Sequence, residues 1–468
     1  MLKIYNTPNR KIEEFKPLDA QNVKIYTCGP TVYATPHIGN WAAFIYWDIL
    51  VRTLEANGFG VNRTMNITDV GHLVSDEDEG EDKLEKGARR EGKTAWQVAE
   101  FYTAEFLSGF SKLNLIQPQH ISKATDFIEE QIAIIEELSK KGLTYETSDG
   151  IYFDTAKFPR YADFAHLDLE KLKAGARVNF NPEKRNLADF ALWKWSPEGK
   201  KRDMEWMYRG KAGFPGWHLE CSAIAINTLG ATLDIHTGGI DHIPVHHTDE
   251  IAQSESFTGE KFSNYWLHAN FLTSEGKKIS KSLENGFTLA DLEARGFSPL
   301  DFKMLILQSH YQSGGDFTFE SLQAAQNRLK NWRNIAAIRW QIAGQNAGEI
   351  PSLASKKALL EIINHNLDTP KTLSKIDEIF TEISKTAPNK LSKTNLQNLL
   401  EFIDDLLGLD LLNSTPDISE EAKRQILERR EARENKDWAQ SDKIRDELLK
   451  AGIILRDTPA KTFWEYSR

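Results

Sequence analysis

The sequence predicts an α/β fold: a parallel sheet interrupted by an insertion, then an all-α C-terminal region. Three observations carry this. A strand, a loop and an amphipathic helix open the chain and lead into a second strand. An α/β pattern returns near residue 217, and after Pro299 the apolar spacing is helical almost to the end.

Val23–Cys28 alternates apolar and polar side chains and reads as the first strand, with Gly29-Pro30 as the turn after it. A loop runs to His37. From Gly39 to Asn57, the residues Trp41, Phe44, Ile45, Ile49 and Leu54 recur at helical spacing, and Gly58 marks the stop. Residues 61–67 read as the next strand, so this stretch forms the opening of a Rossmann-type nucleotide-binding unit. Residues 94–145 read as two amphipathic helices, and Thr144–Phe153 as a hairpin around Ser148-Asp149-Gly150. A mixed stretch follows. Trp217–Leu229 is then expected to be a helix, Thr232–His236 a strand, His246–Phe257 a helix and Trp266–Leu272 a strand. Gln345–Pro351 and Leu411–Pro416 are the expected linkers, and Asp76–Asp82 a solvated acidic loop.

At 468 residues the chain is long enough for about three domains. No apolar run approaches the ~18 residues of a membrane span. Met1-Leu2-Lys3-Ile4-Tyr5 carries no secretory apolar region, so no membrane partner and a cytoplasmic location are expected. Two cysteines exclude a disulfide framework. The net charge of −10 argues against a chain-wide nucleic-acid coat. It is unevenly spread: residues 301–468 carry 24 Lys+Arg and 25 Asp+Glu, a balance of −1, which leaves −9 in residues 1–300.

Cys28 ends the first strand, at the carboxyl edge where parallel sheets bind ligands. Cys221 closes Gly216-Trp217-His218-Leu219-Glu220-Cys221, and residues 218–268 hold six of the twelve histidines. On a helix, His246 and Glu250 are i and i+4 and share one face. Two thiolates, an imidazole and a carboxylate suit tetrahedral Zn²⁺. Buried cysteines also serve as small hydrophobes, and a His-His pair can be surface. Spacing alone does not bring residues 193 positions apart together.

Pro36-His37-Ile38-Gly39-Asn40 lies where the first loop enters its helix. Glycine permits close backbone approach there, and a helix N-terminus favours phosphate oxygens. His37 could stabilise charge developing on phosphate. Downstream, Lys277-Lys278-Ile279-Ser280-Lys281-Ser282 is a polar loop whose three lysines could neutralise a leaving pyrophosphate.

In this order, the two motifs resemble the HIGH and KMSKS signatures of class I aminoacyl-tRNA synthetases. Cys28–Tyr33, Asn66–Asp69, Ala174–Val178, Asp189–Lys194, Pro215–Ser222, Asp234–His236 and His246–Gln253 narrow the resemblance to the cysteinyl-tRNA synthetases. His310-Tyr311 and Asp442–Leu448 extend it over nearly the whole chain.

The resemblance implies a cysteine–tRNA ligase that forms cysteinyl-adenylate from cysteine and Mg²⁺-ATP, then transfers the cysteinyl group to the 3′ end of tRNA(Cys). It assigns one Zn²⁺ per chain to Cys28, Cys221, His246 and Glu250, with His247 as the adjacent alternative to His246. Cys28, Gly29, Thr68 and Trp217 match the amino-acid site. Gly39, Gly238, Gly239, Asp241 and Lys281 match ATP contacts, and His37, Asn40, Lys278 and Lys281 the groups that act on the phosphates. The partners implied are tRNA(Cys), ATP and L-cysteine, with a monomer expected. Zinc answers a specificity problem: pockets that sense only size separate serine from cysteine by ~10–200-fold, whereas a bond to a thiolate is one a serine hydroxyl cannot match.

The domains expected are 1–112 and 206–298 as the two halves of the catalytic domain, 113–205 as an insertion, 299–350 as a helical stem-contact region and 351–468 as a helical anticodon-binding region. Several positions depart from the family pattern. Asn40 replaces the second His of HIGH, Ile279 the Met of KMSKS, and Thr237 a glycine; Val245 replaces a Pro shifted to Pro244, and Val70–Lys93 is unlike the usual loop. An Asn amide still donates hydrogen bonds, and Ile for Met conserves volume.

Residues 321–348 hold Arg328, Lys330, Arg333 and Arg339 with no Asp or Glu, and include Trp332 and Trp340. Such a helix could meet RNA phosphates, while its tryptophans read better as core. Residues 423–436 mix cations and acids as a salt-bridge lattice would. Lys450, Arg456, Lys461 and Trp464 make a basic tail with an aromatic. Two other functions are weighed. A cysteine ligase of mycothiol biosynthesis shares the cysteine-zinc site, but it lacks the long region after Ser309. A non-catalytic metal- or RNA-binding paralogue would be expected to lose His37 or the loop lysines, which are present here.

Overall fold

The computed structural model describes residues 1–71, 82–167, 181–197, 199, 201–279, 285–342, 351, 353–386, 390–457 and 462–467. The expected loop 76–81, the motif Ala174–Val178, Lys281, Lys461 and linker residues 345–350 lie outside them. The chain divides into two compact units: Met1–Asp291 with Tyr311–Asp316, and Leu292–His310 with Phe317–Arg468.

In the first unit an antiparallel pair, β1 (Lys3–Asn6) and β2 (Lys11–Glu14), precedes β3 (Val23–Thr27), α1 (Ile38–Ala56) and β4 (Val61–Ile67). Next come α2 (Lys83–Glu91), α3 (Ala95–Lys112), β5 (His120–Lys123) and α4 (Ile128–Lys140). Five strands follow: β6 (Thr144–Glu146), β7 (Gly150–Phe153), β8 (Phe190–Trp195), β9 (Trp206–Tyr208) and β10 (Lys211–Pro215). The unit then returns to α/β alternation with α5 (Trp217–Leu229), β11 (Leu233–Gly239), α6 (His246–Thr258) and β12 (Ser263–Ala269).

The two α/β stretches share one parallel sheet of order β12-β11-β3-β4-β5. Ile25 on the central β3 pairs with Ile235 on one side and Arg63 on the other. Strand order therefore reverses at β3, with later strands added on both flanks. Crevices for ligands form beyond the carboxyl ends of strands at such a reversal. Cys28 is the first residue past β3.

Helix α1 is buried nearly all round, including Asp48, Arg52 and Thr53 among its apolar residues. The two charges are tolerated because they satisfy each other and the backbone. Arg52 Nε donates to Asp48 Oδ2 at 2.7 Å, Ile116 N donates to Asp48 Oδ1 at 2.7 Å, and Arg52 Nη2 donates to the Asn114 carbonyl at 2.8 Å. Trp41 stacks on Phe106 of α3 with centroids 5.1 Å apart.

Two parts of this unit depart from the expectation. The four-residue edge strand β5 lies between the two helices expected over 94–145, and it is too short to show a period. The mixed stretch is a second sheet, antiparallel, of order β6-β7-β8-β10-β9. Its Trp193, Phe153 and Phe190 form one apolar cluster with Leu219 of α5 and Ile134 of α4.

The second unit is helical, as the spacing predicts, and ends in a hairpin of Ile453–Asp457 against Thr462–Tyr466 that the spacing did not predict. Its long helix, α8 (Phe319–Ala337), follows α7 (Pro299–Leu307). The cations of the α8 region are committed within the unit. Arg328 Nη2 donates to Asp377 at 2.5 Å, Lys330 to the Ser467 carbonyl at 2.9 Å and Arg333 to Ser414 at 3.2 Å. Arg339 is 3% exposed and donates to the Ala336, Leu412 and Thr415 carbonyls and to the Thr415 hydroxyl. Trp332 is buried, as expected, and donates to Asp377 at 2.6 Å.

The expected linker Leu411–Pro416 is a packed turn instead. The Asp404 carboxylate accepts from Leu411 N at 2.7 Å and Leu412 N at 2.9 Å, and Leu411 and Thr415 are fully buried. Residues 423–436 carry the expected lattice, including Lys423 with Asp417 and Glu420, and Arg424 with Glu428. In the tail, Trp464 is buried and Arg456 pairs with Glu465 at 3.0 Å. Among the described residues, no helix is long and apolar enough to cross a membrane.

Candidate functional site

Beyond the carboxyl ends of β3 and β11 the first unit opens a cleft of about 550 Å³. Its floor is a cluster assembled from three elements. Cys28 follows β3, Cys221 lies in the second turn of α5, and His246 and Glu250 stand one turn apart on α6. Because α6 begins at His246, the i,i+4 geometry brings its Nε2 to 2.9 Å from Glu250 Oε1. Cys28 Sγ stands 4.0 Å from the same carboxylate oxygen. One donor atom from each of the four residues lies within 4.8 Å of every other.

A buried scaffold aims these donors. His246 turns its Nδ1 to His218 Nδ1 at 2.9 Å, while His218 Nε2 is 3.2 Å from Asp249 Oδ2. Tyr161 OH donates to the other Asp249 oxygen at 2.5 Å. Glu250 Oε2 meets His236 Nε2 at 2.8 Å. Contacts of this kind fix the tautomer and orientation of metal-binding side chains. His247 is also close, with Nε2 3.3 Å from Cys28 Sγ and Nδ1 2.7 Å from His268 Nε2. A second group of four, Cys28, His236, His247 and Glu250, therefore meets the same 4.8 Å limit. Only the group with His246 uses both cysteines.

The electrostatics are those of a cation site. Burial alone would push the Cys28 thiol up, but hydrogen bonds with Cys221, His242 and His246 hold it well below the usual thiol range. Burial, together with Cys28, pushes the Cys221 thiol well up. Burial pushes Glu250 up, but the His236 and His246 charges and the hydrogen bond with His236 together bring it down to about 2. Burial drives His247 down to about 3. A thiolate and a carboxylate thus face each other in a dry floor, where like charges repel unless a cation joins them. The sulfur, nitrogen and oxygen donors fit Zn²⁺.

On one wall, Gly29 N donates to Asn66 Oδ1 at 2.7 Å, Asn66 Nδ2 to Thr68 Oγ1 at 3.0 Å, and Thr68 Oγ1 to Glu220 Oε1 at 2.7 Å. A Cβ on Gly29 would lie 1.6 Å from the Asn66 carbonyl oxygen, so no side chain fits there. Trp217 opens α5 with its ring 4.7 Å from that of His246.

At the rim, His37 caps α1. Its Nδ1 accepts from Asn40 N at 3.3 Å, and Asn40 Oδ1 accepts from His37 N at 3.0 Å. This reciprocal capping box gives Asn40 a structural reason to be Asn. Gly39 sits under the His37 ring, where a Cβ would lie 3.0 Å from Cε1. Gly238 and Gly239 end β11, and exposed Asp241 follows. Lys278 is exposed, with its Nζ 5.3 Å from the Phe271 ring centroid.

The cleft is thus lined by His37, Gly39, Asn40, Gly29, Thr68, Trp217, Gly238, Gly239, Asp241 and Lys278 above Cys28, Cys221 and His246. Glu250 lies beneath, fully buried. Sequence reasoning did not single out His218, Asp249, His236, Asn66, Glu220 or His242. Except for His242, their signal was membership of the quoted motifs.

Residues 14–327 match the family model described as "tRNA synthetases class I (C) catalytic domain", and residues 415–464 match "Cysteinyl-tRNA ligase anticodon binding domain". A cysteine–tRNA ligase 1 of Burkholderia lata is 42% identical over 462 residues, covering 98% of this chain and 95% of the relative. A cysteine–tRNA ligase of Treponema denticola is 40% identical over 496 residues, covering 99% of each. Among solved structures, a Mycobacterium tuberculosis methionyl-tRNA synthetase in complex with methionyl-adenylate aligns with TM-score 0.61 over 83% of this chain and 92% of its own. At 14% identity that likeness concerns the fold alone.

Proposed function

The chain belongs to the cysteinyl-tRNA synthetases of class I, and from that membership we propose how its residues divide the work. It is an ATP-dependent ligase that attaches cysteine to tRNA(Cys). The cysteine carboxylate attacks the α-phosphate of ATP, which forms the adenylate and releases pyrophosphate. A terminal adenosine hydroxyl of the tRNA then takes the cysteinyl group and releases AMP.

In our assignment, Gly29, Thr68 and Trp217 hold the amino acid. The Asn66–Thr68–Glu220 chain fixes the Thr68 hydroxyl, so the substrate meets an oriented polar group that needs no reorganisation. Gly39, Gly238, Gly239 and Asp241 receive ATP, whose bound Mg²⁺ shields its phosphates. His37 accepts from the helix backbone through Nδ1, and its other ring nitrogen carries the proton that it donates to phosphate. Asn40, Lys278 and Lys281 act with it on the α-phosphate and the departing pyrophosphate. The first step is thus mainly positioning and charge neutralisation, with no protein nucleophile.

Cys28, Cys221, His246 and Glu250 would hold one Zn²⁺, which supplies a soft centre that prefers the sulfur of cysteine to the oxygen of serine. We assign residues 1–112 and 206–298 to the catalytic domain, 113–205 to its insertion, 299–350 to stem contact and 351–468 to anticodon binding. We also propose a cytoplasmic monomer. The observation that supports the roles given to the cleft residues is the convergence of the described candidates on one cleft at the sheet's reversal point.

The test is attachment of labelled cysteine to purified tRNA, with cysteine-dependent ATP–pyrophosphate exchange alongside. Charging confined to tRNA(Cys) is expected. Exchange without charging would contradict the tRNA assignment and favour a small-molecule acceptor.

A further inference from the structure

After β12 the chain forms a small antiparallel hairpin, β13 (Leu272–Ser274) against β14 (Lys277–Lys278). Its turn, Glu275-Gly276, has both residues in the left-handed region at φ 52° and 70°, as the favoured two-residue hairpin turn requires. The hairpin is held at both ends. Asp316 Oδ1 accepts from Thr273 Oγ1 at 2.6 Å and from Gly276 N at 2.8 Å. Ile279, which follows β14, is buried, and a Cβ on Gly39 would come within 3.3 Å of its Cδ1. The Lys278 backbone is thus fixed near the start of α1, which His37 caps.

The Lys278 side chain is held differently. Among the described residues, no carboxylate or hydrogen-bond acceptor takes its ammonium; its contact is the Phe271 ring, whose centroid is 5.3 Å from Nζ. The pleat explains the pairing. Thr273 pairs with Lys278 across the hairpin, and Phe271 stands two residues before Thr273, so a period of two puts Phe271 and Lys278 diagonally on one face. The Phe271 backbone is itself secured: its N donates to Asn270 Oδ1 at 2.8 Å, and Asn270 N donates to the Tyr311 carbonyl at 2.8 Å. Both Phe271 and Lys278 line the cleft, and Phe271 is 39% exposed. A ring left this open contributes little burial, but its electron-rich face attracts a cation.

We propose that Phe271 is a positioning residue for the activation step: its ring holds the Lys278 ammonium over the cleft, so that the charge meets the ATP phosphates without first being gathered from solvent. A lysine stem is flexible, and an unrestrained ammonium would spend most of its time away from the phosphates. A carboxylate partner would restrain it at the cost of cancelling the charge that phosphate needs. An aromatic face restrains the ammonium and leaves its charge intact.

The inference rests on the proposed function, through the role given there to Lys278, and the experiment separates the two. Cysteine-dependent pyrophosphate exchange is measured at varied ATP on the full chain for the wild type, Phe271→Leu, Phe271→Tyr and Phe271→Trp, and with mono-, di- and trifluorinated phenylalanine installed at position 271. Fluorine withdraws electron density from the ring face without making the side chain less apolar, so a role in packing alone predicts no loss. Phe271→Leu should lower kcat about twofold to fivefold, the range of an exposed cation–π contact, with the ATP KM within about twofold of wild type. Each added fluorine should lower kcat further, and Tyr and Trp should retain it. With Lys278→Ala already present, Phe271→Leu should cause no further loss. An unchanged kcat in Phe271→Leu overturns the inference, as does a fluorine series without a gradient or an equal loss in the Lys278→Ala background. An ATP KM that climbs with fluorination at constant kcat overturns it too, since the ring would then touch ATP itself. Full activity in Lys278→Ala contradicts the role proposed for that lysine, and a wild type without cysteine-dependent exchange overturns the proposed function.

Discussion

Two clusters of ionisable side chains in this molecule are built on opposite plans. In the first unit, Cys28, Cys221, His246 and Glu250 crowd their donor atoms within 4.8 Å, with a carboxylate beside a thiolate in a dry floor. In the second, Arg328, Lys330, Arg333 and Arg339 each end on an acceptor of their own unit. The first cluster has an excess of electron-pair donors, the kind of set that could hold a metal ion. The second is satisfied internally and serves to hold helices together. A local concentration of charged residues is therefore not itself a binding site. What separates the two is whether the surrounding groups already balance the charge.

Changes of side chain test that contrast. The largest effect is expected for Cys221→Ala. Removing a sulfur from the floor should abolish stoichiometric zinc and lower cysteine-dependent exchange by at least about a hundredfold, since disturbing even the residues around metal ligands costs 10–100-fold. Metal analysis and exchange on one preparation would check both.

Arg339→Ala should behave differently. It leaves carbonyls in the second unit without their buried donor and should lower stability by about 2–4 kcal/mol, read by chemical denaturation. Exchange at temperatures where the protein stays folded should be unaffected.

A smaller effect follows from Asp457, whose carboxyl is held well below the usual range chiefly by the hydrogen bond from Arg429. A carboxyl depressed in the folded state contributes stability above its unfolded pKa of about 4, and loses it as pH falls through the lower folded value. Asp457→Asn should remove about 1 kcal/mol at neutral pH, a modest figure because the pair is partly exposed, and should flatten the loss of stability on acidification below about pH 4. Urea titrations at pH 3 and pH 7 would show whether the difference shrinks.

The smallest change is expected for Arg328→Ala. If its role is the contact with Asp377, the KM for tRNA should stay within about twofold and stability should drop by about 1 kcal/mol or less. A tenfold rise in the tRNA KM without loss of stability would show that the second cluster binds RNA after all.

Much of the cleft was legible through the family resemblance: Gly238, Gly239, Thr68 and Trp217 came from matched motifs, and spacing alone did not bring Cys28 and Cys221 together. The central strands and α1 were legible from pattern: β3 alternates apolar and polar residues, and the apolar residues of α1 recur at helical spacing. The antiparallel sheet from Thr144 to Pro215 was legible only in its first hairpin, β6 against β7, which the sequence predicts. Its strands are three to six residues long, and its core is supplied by Trp193 and Phe153 from separate strands.

Leu411–Pro416 misled because Asn413, Ser414, Thr415 and Pro416 have loop composition. The stretch is ordered by partners distant in sequence, Arg339 among them. Asn40 has a second task that one sequence did not show, since its hydrogen bonds with His37 close the helix start.

The central claim is that the floor of the cleft holds a metal with a place for the substrate's sulfur. Replacing the metal with Co²⁺ and following the sulfur-to-metal absorption bands tests it most directly. The account predicts uptake of one Co²⁺ per chain with thiolate bands from Cys28 and Cys221, which gain intensity on addition of cysteine and do not change with serine. Failure to take up Co²⁺, or the same response to both amino acids, would contradict it.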